Sequence, residues 1–132
     1  MPRKTDPTKP SDWIFIAESE LEGVRHLTEK EISYSMCQSK LAEILEKALK
    51  AELIRQGWSL QKTHDLLKLA AELQTRKSDF INQLRPLVTS LAQRYFIDRY
   101  PGFDLEDPNW PELKKKVEQV AGVLAKVKSR IQ

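Results

Sequence analysis

The chain has 132 residues, a mass of 15.3 kDa and a formal net charge of +3. This length fits one domain with a buried core, and four glycines and one cysteine exclude a collagen-like chain and a disulfide-stapled scaffold. The 22 basic residues are interleaved with 19 acidic ones, so charge alone does not indicate a nucleic-acid binder.

Residues 1–10 contain three prolines and no apolar pattern, and they predict a tail in front of one domain over residues 11–132. No stretch approaches the ~20 apolar residues of a membrane span, and the first residues lack the apolar centre of a secretory signal. Cys37 has no second cysteine to pair with, and its spacing from Leu41 and Ile44 is typical of a small buried side chain. These features predict a cytoplasmic protein that does not enter a membrane.

The first helix is predicted from Trp13 to about Thr28, because Ser11 and Asp12 are good N-cap residues. Phe15 projects away from the apolar side of this helix, which makes it a candidate for an interface. The apolar side itself is predicted to consist of Trp13, Ile16, Ala17, Leu21, Val24 and Leu27.

The second helix is predicted to be the longest, from about Glu31 to Gln56, with Gly57 at the position that ends it. Its apolar face is broad enough to contact more than one neighbour. Gln38 and Glu52 project onto or near this face, where a polar group requires a partner. We expect an inter-helix hydrogen bond or ion pair for both; the alternative is a role at an interface or a ligand.

A third helix is predicted with Thr63 as its cap and with His64 and Asp65 in its first turn. A fourth apolar pattern begins at Ser78, and a break or bend is expected near Pro86 because proline removes a backbone N–H.

The last helix is predicted from about Pro111, after a loop that contains Pro101, Gly102 and Pro108. No segment shows the alternation of a half-buried strand. The patterns together predict an all-α fold, an up-and-down bundle of four helices with an extra short or kinked one.

No catalytic signature is recognisable: the chain lacks a glycine-rich phosphate loop, paired metal ligands and a nucleophile elbow. We therefore predict no catalytic residues, no metal and no cofactor in this chain, and a nucleotide as the candidate ligand.

A group of polar residues at the end of the fourth pattern is the best candidate site. Arg94 and Asp98 are spaced to pair across a helical turn. With Arg99 and Tyr100, the arginines could instead hold a phosphate or a partner's carboxylate. His64 is a further candidate, and its alternative role is a structural hydrogen bond that fixes the preceding loop.

Three segments, in this order and spacing, resemble the HEPN domain family: Glu46-Lys47-Ala48-Leu49-Lys50-Ala51, Thr63-His64-Asp65-Leu66 and Arg99-Tyr100-Pro101. Asp12-Trp13 with Ala17 and Leu21 also fits, so the resemblance covers nearly the whole chain from residue 11. It implies a four-helix up-and-down bundle that is usually a homodimer.

The resemblance also implies one of two activities. Some members are metal-independent RNases with an Arg-x4–6-His signature; others lack it and serve a minimal nucleotidyltransferase as its substrate-binding or toxin–antitoxin partner. Here Arg99, not a histidine, stands at the required spacing after Arg94, and a guanidinium cannot exchange a proton near neutral pH.

These observations predict a non-catalytic binding module that is a homodimer and partners a separate nucleotidyltransferase. One alternative is a divergent RNase that acts on RNA with a composite site across the dimer and uses His64 as its base. Another is a purely structural adaptor that assembles through Phe15 and the second helix. The predicted site residues are His64, Arg94, Asp98, Arg99 and Tyr100, and the interface candidates are Phe15, Gln38 and Glu52.

Overall fold

The computed structural model describes residues 2–131, apart from the side chains at positions 95 and 96. Within these residues the regular structure is entirely helical, which confirms the predicted all-α class. The helices are α1 (Pro10–Glu29), α2 (Tyr34–Arg55), α3 (Leu66–Thr75), α4 (Ile81–Leu91), the single turn α5 (Arg94–Ile97) and α6 (Trp110–Arg130).

The first helix begins earlier than predicted, at Pro10. A proline suits the first helical position because the backbone N–H there has no partner within the helix. Asp12 lies inside the helix, and its carboxylate accepts hydrogen bonds from the backbone N–H of Asp6 at 2.9 Å and the guanidinium of Arg3 at 3.2 Å. These contacts attach the tail to α1.

The buried side of α1 is rotated relative to the prediction. Ile14 is 2% exposed, whereas Ile16 is 37% exposed and borders the tail. Phe15 is at the surface, with the Arg3 guanidinium 3.7 Å from its ring centroid. The residues that face the core follow the helical repeat from Ile14 through Ala17, Leu21 and Val24.

The longest helix is α2, and it contacts every other major helix of the bundle. It begins at Tyr34, later than predicted, because Glu31 (φ 55°) and Ser33 (φ 59°) have left-handed backbone conformations that interrupt a helix. Gly57 follows the helix end with φ 93°, as predicted for a residue without a Cβ.

The start of α3 differs from the prediction. Asp65, not Thr63, is the N-cap, because its carboxylate accepts hydrogen bonds from two backbone N–H groups of the first turn at 3.0 and 3.3 Å. His64 therefore lies in front of the helix and not in its first turn.

Of the break or bend predicted near Pro86, the break is wrong, because α4 continues through this residue. Pro86 is exposed, between the buried Leu84 and Leu87. Asn82, whose carbonyl loses its helical partner, is also an exposed residue, and water can replace a missing N–H at such a position. The chain leaves the helix at residues 92–93 instead, and α5 follows.

The last helix starts at Trp110, within one residue of the prediction, and Asn109 caps it. α1, α2 and α6 pack against one another, and the α3–α4 pair and α5 pack on α2. This arrangement places the link before α3 and the segment after α5 along the same helix, α2. Within residues 2–131 none of the helices has the length and apolarity to cross a membrane.

Candidate functional site

Two carboxylates on α2 organise the site. Glu43 accepts a hydrogen bond from Nη1 of Arg99 at 2.5 Å. Glu46 lies one helical turn further along, and its Oε1 is 3.0 Å from Nδ1 of His64. His64 and Arg99, which are distant in the sequence, therefore converge on one edge of α2.

Glu46 forms an ion pair with Lys50 in the interior of the bundle. Oε2 of Glu46 accepts a hydrogen bond from Nζ of Lys50 at 2.9 Å, and these residues are 5% and 4% exposed. Lys50 also lies 5.2 Å from the ring centroid of Trp13. A buried pair of this kind depends on good geometry and further contacts, which the aromatic ring and His64 provide.

Glu43 belongs to a network of ion pairs that is more exposed to solvent. Lys40 contacts Glu43 at 2.5 Å and Glu20 of α1 at 3.1 Å, and Lys47 also pairs with Glu20. Burial alone would raise the pKa of Glu43, but the hydrogen bond and charge of Lys40 and the charge of Arg99 outweigh it and hold the pKa below its usual value. Glu43 therefore stays ionised and anchors Arg99.

Arg94 and Asp98 form the contact across a turn that their spacing predicted, at 3.6 Å between Nη1 and Oδ1. This distance is an ion contact but is too long for a hydrogen bond. The Asp98 side chain is 0% exposed, and the described residues give its oxygens no hydrogen bond. Burial raises the pKa of Asp98, and the charge of Arg94 opposes this only in part.

Two recesses flank the segment 97–99. The apolar groove, with a volume of about 740 Å³, has Leu67, Ile97 and Phe103 on its wall and His64 at its edge. The polar cleft has a volume of about 390 Å³. It is lined by Met36, Ser39, Lys40, Glu43, Asp98 and Arg99.

Ile97 lines the apolar groove, and the next two residues of the segment, Asp98 and Arg99, line the polar cleft. A larger recess of about 900 Å³ lies between α1 and α6 and contains none of the predicted site residues.

The five predicted site residues therefore occupy different environments. His64 lines the apolar groove, whereas Asp98 and Arg99 line the polar cleft. The Arg94 side chain is only 13% exposed and also contacts Glu106 at 3.4 Å. Tyr100 is 52% exposed and lies outside both linings.

Sequence reasoning missed Lys40, Glu43 and Glu46 as parts of this site. The spacing of Glu43 and Glu46, which places both on one helix face, was a signal. It could be interpreted only once the structure placed Arg99 and His64 beside α2.

The interface candidates on α2 are inside the bundle. Glu52 is 0% exposed and makes the inter-helix ion pair that was expected, with Arg130 of α6 at 3.1 Å. Gln38 is 1% exposed, and its Nε2 has no hydrogen-bond partner among the described residues. Because the broad face of α2 is covered by the other helices, Phe15 is the one interface candidate that reaches the surface. Within residues 2–131 no three metal-ligating side chains come together.

Comparison with known proteins agrees with this architecture. The sequence model described as the HEPN domain matches residues 10–129. The fold is similar to the crystal structure of an archaeal HEPN homologue, with a TM-score of 0.69, 22% sequence identity and coverage of 94% of this chain and 98% of that chain. No curated protein matches the sequence. The family match over most of the chain, together with the shared fold, shows that this protein belongs to the HEPN domain family.

Proposed function

We propose that this chain is a non-catalytic binding module that forms a homodimer and serves a separate minimal nucleotidyltransferase as its substrate-binding partner. The observation that carries the proposal is the convergence of His64 and Arg99 on neighbouring carboxylates of α2, where His64 lines the apolar groove and Arg99 lines the polar cleft. Nucleotidyltransferase association is a property of part of the family, and the proposal extends it to this chain.

The two recesses suit the two halves of a nucleotide. The wall formed by Leu67, Ile97 and Phe103 offers apolar and aromatic surface to a flat base. Arg99 and Lys40 in the polar cleft offer cationic donors, and a guanidinium can bind a phosphate or a carboxylate through two parallel hydrogen bonds. The Arg99 side chain is 37% exposed, so it is accessible to such a ligand.

The residue types in the candidate site support binding over catalysis. Arg99 occupies the position that a histidine holds in the RNase signature, and a guanidinium stays protonated near neutral pH. Arg94 is largely buried against Asp98 and Glu106, so its role in this proposal is to support the segment after α5 and not to grip the ligand.

The partner is tested by purifying the tagged chain from its native host and identifying bound proteins by mass spectrometry. We expect a nucleotidyltransferase near one-to-one stoichiometry. Recovery of the chain alone would refute the partnership. Expressing the chain with and without that enzyme, and measuring host growth, tests whether the two form a toxin–antitoxin pair.

The site is tested with Arg99→Ala and the matched control Arg25→Ala, which removes an exposed inter-helix pair with Glu118 on the α1–α6 face. Calorimetric titration with ATP should show binding that is about tenfold or more weaker for Arg99→Ala, because a charge-assisted hydrogen bond contributes ~1.5–3 kcal/mol. The control should bind like the wild type. Equal binding by Arg99→Ala would show that the site is assigned incorrectly.

The homodimer is tested by size-exclusion chromatography with light scattering, where we expect twice the chain mass of 15.3 kDa. A monomer over the concentration range of the binding assays would refute it. Phe15→Ser tests whether the exposed ring contributes to the dimer.

One observation favours a second function, a divergent metal-independent RNase. His64, the one imidazole in the predicted site, lies along the same edge of α2 as Arg99. The test is incubation of the dimer with single-stranded and structured RNA without metal. Cleavage above that of a His64→Ala variant would support an RNase, and cleavage equal to that of the variant would exclude His64 as its base.

A further inference from the structure

Two glycines lie inside helices, where this residue type is unfavourable. Gly23 is an interior residue of α1 and Gly122 of α6, and both are exposed. Glycine weakens a helix interior relative to alanine, because it loses more backbone entropy on folding. A Cβ added at either position would meet no atom of the described residues within 4 Å, apart from its sequence neighbours and the local helix backbone. The packing of this chain therefore does not require a glycine at either position.

The recess between α1 and α6 indicates what the glycines leave room for. Its volume is about 900 Å³, and its lining contains Gly23 and Ser19 of α1 with Ala121 and Ala125 of α6. Gly122 follows Ala121 directly. Because these side chains are small, a helix from outside can approach this face closely. Such an approach gives a reason for the two glycines that the packing within the chain does not give.

The first half of α1 has the shape that fits this recess. The Phe15 ring is 46% exposed and lies four residues before Ser19, and Gly23 lies four residues after it. Residues four apart form one ridge on a helix. When two copies of α1 cross antiparallel at Ser19, Phe15 of each copy lies against Gly23 of the other. The one large side chain of the ridge then meets the position that has no side chain.

The charges on the two surfaces are also complementary. The Arg3 guanidinium lies 3.7 Å from the ring centroid of Phe15, so a cation accompanies the ring. The lining of the recess contains Glu22 and Glu29, and the described residues give neither of them an ion pair. The arginine and the lysine of the same lining already have carboxylate partners. A cation beside an aromatic ring therefore meets a recess with uncompensated negative charge.

We propose that the α1–α6 recess is the surface through which two copies of this chain form the homodimer, with Phe15 of each copy packed against Gly23 of the partner subunit. The contact is isologous, so Ser19 lies at the two-fold axis and faces its own copy. The candidate ligand site stays outside this contact, because none of the predicted site residues lines the recess. This inference specifies the surface of the homodimer in the proposed function and rests on that function.

The symmetry is tested with Ser19→Cys in the full chain. Two cysteines that meet at a two-fold axis form a disulfide when their Cα atoms are within about 7 Å, so mild oxidation should give a covalent dimer on a non-reducing gel. The native Cys37 is fully buried and remains in every sample. Ala71→Cys on the exposed side of α3 is the matched control. If Ser19→Cys gives no more covalent dimer than Ala71→Cys, the proposal is wrong.

The fit of Phe15 is tested with Gly23→Gln by sedimentation equilibrium. Glutamine favours a helix and the chain has space for it, so circular dichroism should show the wild-type helix content. The new side chain fills the position that receives Phe15, and we expect the dimer Kd to rise about tenfold or more. Ala71→Gln adds the same side chain to α3 and should leave the Kd unchanged. A dimer that is as tight in Gly23→Gln as in the wild type would overturn the proposal.

The two experiments separate this inference from the proposed function. A wild-type chain that is monomeric would refute both the homodimer and its surface. A wild-type dimer that Gly23→Gln does not weaken and that Ser19→Cys does not cross-link would refute only the surface, since the homodimer would then form through another face.

Discussion

Arg130, in the last turn of α6, joins Glu52 of α2 to Asp79 in front of α4, with contacts of 3.1 and 2.6 Å. The same guanidinium lies 4.4 Å from the ring centroid of Phe80, which is fully buried. Glu52 is also fully buried and accepts further hydrogen bonds from Arg55 and Gln56 at the end of its own helix. One arginine thus connects three elements at the end of the bundle.

Replacing Arg130 should destabilise the fold. Arg130→Met leaves the buried Glu52 with its local partners only, so we expect the free energy of unfolding to fall by about 1–3 kcal/mol, less than for a fully unpaired buried charge. Urea denaturation followed by circular dichroism measures this change. The control Arg25→Met removes an exposed pair and should cost less than ~1 kcal/mol. Equal losses in the two variants would contradict the role assigned to Arg130.

The same cluster should make the fold sensitive to acid. Burial alone would raise the pKa of Glu52, but hydrogen bonds from Arg55 and Gln56 and the contact with Arg130 hold it below its ordinary value of 4.5. A carboxyl whose pKa is lowered by folding stabilises the protein above the unfolded pKa, and this contribution is lost as the pH falls through the folded pKa. We expect the free energy of unfolding to decrease on acidification below about pH 5, less steeply for Glu52→Gln than for the wild type. If the free energy of unfolding depends on pH equally steeply in Glu52→Gln and in the wild type, Glu52 does not contribute to the acid sensitivity.

Asp98 should have the opposite pH dependence. Burial raises its pKa above the ordinary value of 3.8. A carboxyl whose pKa is raised by folding destabilises the folded state when it is ionised. This destabilisation is present at neutral pH, and it decreases as the pH falls through the folded pKa toward the unfolded pKa. Asp98→Asn should therefore be as stable as the wild type at pH 7, or up to ~1 kcal/mol more stable, because no charge remains to be buried. A loss above ~2 kcal/mol in denaturation at pH 7 would show that Arg94 depends on the charge of Asp98.

Pro86 should limit the stability of α4. It lies inside a continuous helix at an exposed position, where it removes a backbone hydrogen bond. Pro86→Ala should raise the free energy of unfolding by about 1–3 kcal/mol, since the gain in helix propensity exceeds the added entropy of the unfolded chain. Pro111→Ala is the control, because Pro111 lies in the first turn of α6, where no hydrogen bond is lost. Thermal unfolding measures the stability of both variants. If Pro86→Ala is no more stable than the wild type, Pro86 does not destabilise α4.

The sequence by itself determined the features that depend on neighbours along the chain. The all-α class, the start of α6 near Pro111 and the end of α2 at Gly57 all follow from helical periodicity and backbone preference, which are local. The same local rules were insufficient for α1. There Ile14 and not Ile16 faces the core, because the tail and the neighbouring helices decide which side of a broadly apolar helix is covered. At Pro86, likewise, the residue type predicted a break or bend, whereas α4 continues through this exposed position.

Only the tertiary structure showed which residues come together at the candidate site. Residue types and the family resemblance pointed to His64 and Arg99, but nothing in the sequence connected either residue to Glu46 or Glu43. Those contacts exist because the link before α3 and the segment after α5 both pack on α2, which brings distant parts of the chain to one helix edge. Likewise, only packing buried the Asp98 carboxyl, to which the described residues give no hydrogen bond. The sequence shows that Asp98 is spaced to pair with Arg94, but it does not show how far the pair is removed from water.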